Sequence, residues 1–226
     1  MSLRARFAIR VVIGLTLAIA AMFLPAGSFA YWQGWGSLGV FGVFPIILFS
    51  YFLRYDPQLL ERRLLRKEPR AKQRLWVRLW TPLWLGLFLL PGFDYRFGWS
   101  RIVLGGVPAS ICVLAQVPIV ASWLLIFQVF RRNTFAAAVV QVETGQRVVA
   151  DGPYRIVRHP MYAATVPMLL CLPLAMGSYF ALPLALPLIA LLVYRLRDEE
   201  RLLLAELPGY AEYCRRTPYR LIPLVW

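Results

Sequence analysis

Six apolar stretches punctuate this chain, and every other feature of it has to be read around them. They cover residues 11–24, 35–53, 79–90, 102–130, 163–176 and 179–194. A helix needs about 20 apolar residues to cross the hydrocarbon of a bilayer. The chain also lacks the polar material to cover such runs in water: 60% of its 226 residues are hydrophobic and 16% charged, against about 45–50% and 25% in a soluble domain. Disorder and a soluble core with an ordinary charged surface are both excluded. The expected fold is an all-α, polytopic integral membrane helical bundle of about six spans, with a C-terminal helical hairpin and a cytoplasmic tail.

The runs are not equivalent. Arg4, Arg6 and Arg10 precede the first as in a signal peptide, but no small-residue cleavage site precedes Tyr31 and Trp32, so a retained span is expected. The third run is short and needs Trp76 and Val77 to approach a bilayer's thickness. The fourth would be about 43 Å long as one helix and would have to tilt or project. The last two are separated by Gly177 and Ser178 and carry Pro167, Pro173, Pro183 and Pro187. Residues 54–78 are strongly charged, and Leu59, Leu60, Leu64 and Leu65 recur near helical spacing, which predicts an interfacial helix.

The formal charge is +14. Its distribution points to a lipid surface rather than a nucleic acid partner. If residues 163–194 double back as a hairpin, 23 of the 25 basic residues fall on one side and only Arg96 and Arg101 on the other. That bias is what the positive-inside rule asks of a real topology. It places residues 131–159 and both termini on the cytoplasmic side of the cytoplasmic membrane. Cys112, Cys171 and Cys214 are widely spaced, form no metal pattern and read as free thiols.

With the spans removed, two polar segments hold nearly all the groups that could do chemistry. Residues 148–162, VVADGPYRIVRHPMY, contain His159, which is the chain's single histidine, beside Arg158 and Pro160. Gly152 and Pro153 mark a turn, Tyr154 and Tyr162 supply amphipathic rings, and Pro160 suits the first position of a helix. Residues 195–213 follow the last apolar run and carry Glu199 and Glu200. Adjacent carboxylates at a membrane boundary are costly unless paired, so they are candidates to balance a cationic ligand. A single histidine argues against haem, zinc or di-iron centres. No P-loop is present. Trp76, Trp80 and Trp84 recur every fourth residue and would form an aromatic ridge on a helix, either guiding an apolar chain or anchoring a short span.

The two segments resemble the isoprenylcysteine carboxyl methyltransferase superfamily and the related phospholipid N-methyltransferases. The family's GPY…RHPxY block stands here as Gly152, Pro153, Tyr154, Arg158, His159, Pro160 and Tyr162. Its EE pair is Glu199 and Glu200, and its tail is matched by Gly209, Tyr210, Tyr213, Thr217, Pro218, Ile222 and Pro223. The resemblance implies S-adenosylmethionine as cofactor, with S-adenosylhomocysteine as product and no metal. It assigns Gly152, Pro153, Tyr154, His159, Pro160, Tyr162, Glu199 and Glu200 to the cofactor site, and Arg158, His159 and Glu200 to catalysis. The acceptor would be a lipid-like or small apolar molecule: a prenylated cysteine carboxylate, an amine headgroup or a thiol. Residues 131–226 would form the cofactor-binding region and residues 1–130 would shape acceptor access. Ala164 stands where many members have glycine. Membrane sterol reductases that use NADPH share a similar hairpin and tail, but Met161, Ala163 and Ala164 replace the asparagine and acid of their block. Hydride transfer is therefore the second expectation, and a transporter or assembly subunit without chemistry the third.

Overall fold

The computed structural model describes residues 2–64, 71–135, 142 and 145–226. Those residues are helical, with no strand among them. Helix α1, Leu3–Ala26, starts at Ser2, whose hydroxyl accepts the Ala5 amide at 3.2 Å. Helix α2 runs Trp32–Tyr55 with a single π-helical turn at Gly39–Val43. Asp56 then caps a short helix α3, Pro57–Leu64, by accepting the Leu59 amide at 3.0 Å. Leu59 and Leu60 are buried, which ties α3 into the bundle. Of the four leucines expected on an interfacial face, Leu65 and the Leu64 side chain lie outside the described residues.

Helix α4, Ala71–Phe97, is 27 residues long and corrects the expectation of a short third run. The charged stretch does not end where the helix begins. Arg74 and Arg78 are good helix formers and continue the span beyond its apolar part, so the same helix reaches Gln73, which donates to Asp198 at 2.6 Å. Helix α1 packs closely along α4. A Cβ on Gly92 would lie 2.6 Å from the Met22 carbonyl oxygen, so that crossing requires glycine.

The fourth apolar run is not one long tilted helix. Gly105 and Gly106, at φ 75° and 80°, together with Pro108 separate a short helix α5, Trp99–Leu104, from the span α6, Ala109–Arg132. Two consecutive left-handed residues cannot continue an α-helix. The remaining 24 residues match a bilayer without a large tilt. Helices α1, α2, α4 and α6 are thus long and apolar enough to cross a membrane, and the protein is a membrane-embedded helical bundle.

Helix α7, Pro160–Ala175, opens on Pro160, and helix α8, Ala185–Glu206, follows the connection 176–184. The apolar arm and the charged segment behind it, read separately in the sequence, form this one helix α8 of 22 residues. A last short helix α9, Tyr210–Arg216, precedes the C-terminal residues. One apolar core gathers Met22, Leu87, Ile119, Leu169 and Leu188, all fully buried, from α1, α4, α6, α7 and α8. Both halves of the chain therefore share it.

Trp76, Trp80 and Trp84 do form the expected ridge, stacked at centroid separations of 4.8 and 6.0 Å. The Trp76 indole donates to the Leu191 carbonyl at 2.8 Å, and Trp80 packs against the core. At Trp76 and Trp80 the ridge is a seam between α4 and α8, whereas Trp84 meets Phe41 of α2. Cys112, Cys171 and Cys214 are free thiols.

Candidate functional site

The start of α7 and the end of α8 lie together, 37 residues apart in sequence, because Tyr162 donates its hydroxyl proton to Glu199 Oε2 at 2.5 Å. Arg195, one helical turn before Glu199, donates through Nε to the same tyrosine oxygen at 3.1 Å, and its guanidinium lies 4.4 Å from the Trp76 ring centre. Tyr162 thus links a cation and an anion that share one face of α8.

Glu200 points elsewhere. Its Oε1 lies 3.1 Å from an Arg158 nitrogen and 3.4 Å from His159 Nε2, while Oε2 accepts Arg220 Nε at 2.6 Å. Burial works to raise the Glu200 pKa, but the hydrogen bonds of His159 and Arg220 and the Arg158 charge pull it down to about 2. The chain's C-terminal segment joins this clamp through the backbone: the amides of Arg158 and His159 donate to the carbonyls of Tyr219 and Arg220 at 2.9 and 3.0 Å. Leu221 packs with Tyr162, Leu192 and Leu196 just beyond.

Gly152 and Pro153 open a 3-10 turn, Gly152–Arg155, that presents Tyr154. Asn133, just past the end of α6, donates to the Tyr154 hydroxyl at 2.9 Å, and Tyr213 donates to the Tyr154 carbonyl at 2.8 Å. Burial pushes the Tyr154 phenol up to about 12. Burial also raises Tyr210 and Tyr213 on α9.

These groups surround a partly open cavity of about 110 Å³. Tyr154, Arg158, His159, Pro160, Tyr162 and Glu199 line it. Gly152, Pro153 and Glu200 do not: the first two build the turn, and Glu200 sits behind the wall. The sequence reading missed Asn133, Arg147 and Arg195, and it quoted Tyr210 and Tyr213 only as part of the tail. All five line the cavity. The four-residue step from Arg195 to Glu199 was a legible signal. Asn133 carried none, since its role depends on α6 ending beside the turn.

The described part of this region lies largely within residues 112–205, which match the model of the isoprenylcysteine carboxyl methyltransferase (ICMT) family. Two curated relatives are similar over part of the chain. A Delta(14)-sterol reductase, TM7SF2, of Mus musculus is 37% identical over 105 residues, covering 43% of this chain and 25% of that protein. The cobalt-zinc-cadmium resistance protein CzcN of Cupriavidus metallidurans is 40% identical over 73 residues, covering 31% of this chain and 33% of that protein. The chain thus spans a third or less of the length of these relatives.

The cavity has the chemistry that this family's cofactor requires. S-adenosylmethionine carries a sulfonium, an ammonium and a carboxylate. Glu199 offers an anion at the wall, the tyrosines offer ring faces, and Arg147 and Arg195 offer cations. The Tyr210 hydroxyl is buried without a hydrogen-bond partner, so it can receive or donate one to a ligand. Ala164 is buried in the apolar core rather than at the cavity, so its methyl group affects helix packing and not cofactor fit. Among the described residues no cluster of three or more metal-ligating side chains occurs.

Proposed function

We propose that this protein transfers the methyl group of S-adenosylmethionine to a lipid-like or small apolar acceptor at the cytoplasmic face of a membrane. The observation that carries the reading is that a segment of the methyltransferase family brings its two motif blocks to one cavity, with Glu199 on a tyrosine and Tyr154, His159 and Tyr210 around it. When bound, the cofactor supplies an electrophilic methyl group on a positively charged sulfur. The chain's own residues then have three tasks. Glu199, oriented by Tyr162, balances positive charge in a site whose low dielectric makes that balance worth more than in water. Tyr154, fixed by Asn133 and Tyr213, gives the ligand a rigid wall. The Glu200 clamp holds Arg158 and His159 in place, so that donor and acceptor meet in line without a large rearrangement.

In this reading α7 and α8 form a hairpin that completes six crossings and returns the C-terminal segment to the cytoplasmic side, where the water-soluble cofactor arrives. Residues 131–226 act as the cofactor region and residues 1–130 shape the approach of the acceptor. Reporters fused near Ser178 and after Trp226 are expected on opposite sides of the membrane, and a common location rejects the hairpin.

The relative described as a sterol reductase supports a second reading, hydride transfer from NADPH. Titrating S-adenosylmethionine, S-adenosylhomocysteine and NADPH into the purified protein distinguishes the two. The expected result is binding of the first two and none of NADPH. His159→Ala is expected to weaken both adenosyl ligands while the protein remains folded. Binding of NADPH alone would replace methyl transfer by reduction.

A further inference from the structure

Arg63 stands on α3, outside the family segment, with its guanidinium inside the protein. Its Cζ lies 4.2 Å from the centre of the Phe130 ring, and one terminal nitrogen lies 2.9 Å from Met161 Sδ. Its Nε is buried without a hydrogen-bond partner. Among the described residues no carboxylate pairs with it. A thioether is a weak acceptor and an aromatic face a partial substitute for a counter-ion. Burial accordingly lowers the Arg63 pKa to about 10. A guanidinium with only a thioether and a ring face for partners is expensive to bury.

Its surroundings indicate what it faces. Tyr162, Tyr154, Arg195 and Glu199 all act on its charge, and all four line the cavity. Arg63 does not itself line the cavity, but Met161, which it touches, does. Glu200 is matched by Arg158 and Arg220, and Glu199 is shared with Arg195 through Tyr162. Arg63 is a largely enclosed cation beside this cavity that makes no ion pair among the described residues, although the Glu199 charge reaches it. Its neighbours Phe130 and Met161 are apolar, and Val129 joins Met161 in the cavity lining, as the neighbourhood of an alkyl chain would be. Methionine has three rotatable bonds and yields readily to a ligand.

We propose that Arg63 receives the anionic head, carboxylate or phosphate, of an amphiphilic acceptor, whose oxygens take the place of Met161 on the guanidinium. The word acceptor rests on the methyl-transfer reading; binding of an anion at Arg63 does not. The test uses the full chain in maltoside micelles, with laurate and dodecyl phosphate as probes and dodecanol and dodecylamine as controls of equal chain length. Each is titrated with and without S-adenosylhomocysteine and read by thermal shift.

The parent is expected to bind the better anion about tenfold more tightly than dodecanol, the worth of one good charge-assisted hydrogen bond. Arg63→Gln is expected to abolish that preference and leave the affinity for S-adenosylhomocysteine unchanged. Arg63→Lys keeps the charge without the planar fork and should retain part of the preference; with the parent it decides the matter if Arg63→Gln does not fold. The better anion tells carboxylate from phosphate. A parent with no anion preference, or Arg63→Gln with the preference intact, overturns the proposal. Loss of S-adenosylhomocysteine affinity in Arg63→Gln overturns it too, by assigning Arg63 to the cofactor's carboxylate. If S-adenosylhomocysteine binds to neither protein while the anion preference follows Arg63, methyl transfer fails and the anion site stands.

Discussion

Polar clusters occupy opposite ends of α4 and α7, and they differ in whether their hydrogen bonds close. At one end Asp94 is buried and fully partnered: Oδ1 accepts the Ser100 amide at 2.7 Å, and Oδ2 accepts the Ser100 and Ser178 hydroxyls at 2.5 Å each. The two serine oxygens in turn accept the amides of Tyr179 and Ala181. That end ties α4 and α5 to the connection between α7 and α8. At the other end the Glu200 clamp is less complete: Arg158 Nε, His159 Nε2 and Glu200 Oε1 are buried without hydrogen-bond partners, as are the Tyr210 hydroxyl and Arg63 Nε beside it. A saturated buried network fixes a fold, whereas unsatisfied buried groups around a cavity are costly unless a ligand completes them. The contrast is one of degree, since Gln33 Oε1, which lines a cavity with Asp94 and Ser100, is also buried without a partner.

The strongest way to break this comparison is to remove Glu200. Glu200→Ala leaves Arg158 buried without its carboxylate and is expected to destabilise the protein by about 3 kcal/mol, measured by unfolding in detergent. Its pH dependence follows from the direction of the shift. The carboxyl is held at about 2 in the fold against an ordinary value of 4.5, so its contribution is complete above pH 4.5 and disappears as the pH falls towards 2. Glu200→Gln should flatten stability across that window; an unchanged acid limb would assign it to another group.

Asp94→Ala should cost about 2 kcal/mol, because it leaves buried donors on Ser100 and Ser178 unsatisfied. Its affinity for S-adenosylhomocysteine should match that of the parent. A matching loss of cofactor affinity would show that the two ends are coupled and dissolve the distinction. Glu199→Gln is expected to behave in the opposite way. Affinity for S-adenosylmethionine should fall about tenfold, the lower part of the range for a hydrogen-bonded charge, with little change in melting temperature. The uncharged sulfur of S-adenosylhomocysteine should make its loss smaller. Equal losses for the two ligands would move Glu199 from the sulfonium to the ammonium. The smallest effect is expected at Asn133→Ala, which releases one hydrogen bond to Tyr154 and should weaken cofactor binding about threefold to fivefold, measured by the same titration.

Much of this site was legible before the fold was known, and the reasons are chemical. Tyr154, Arg158, His159, Pro160, Tyr162 and Glu199 stand in short blocks of polar residues in a chain otherwise made of spans, so few other positions could serve. They line one cavity, and their roles there are proposals. Glu199 and Glu200 could not be told apart in the sequence. Consecutive residues on a helix point about 100° apart, and which of them meets the cavity depends on how α8 is rotated against α7. The Trp76–Trp84 ridge was visible as a period, but only the bond from Trp76 to Leu191 identifies what it packs against.

The sequence by itself determined that the chain lives in a membrane, that it is helical, and which two blocks carry its polar chemistry. Each of these follows from local composition: apolar length against bilayer thickness, and scarcity of charge. The tertiary structure decided where the spans begin and end, since Gly105, Gly106 and Pro108 cut one apolar run that hydropathy could not divide, while Gln73 extended another through charged residues. It also decided that Glu200 is a buried clamp, that Glu199 faces the cavity, and that Arg63, remote from both blocks in sequence, comes to lie against Met161. Those outcomes depend on packing between segments far apart in the chain, and no local pattern of residues encodes the rotation of one helix against another.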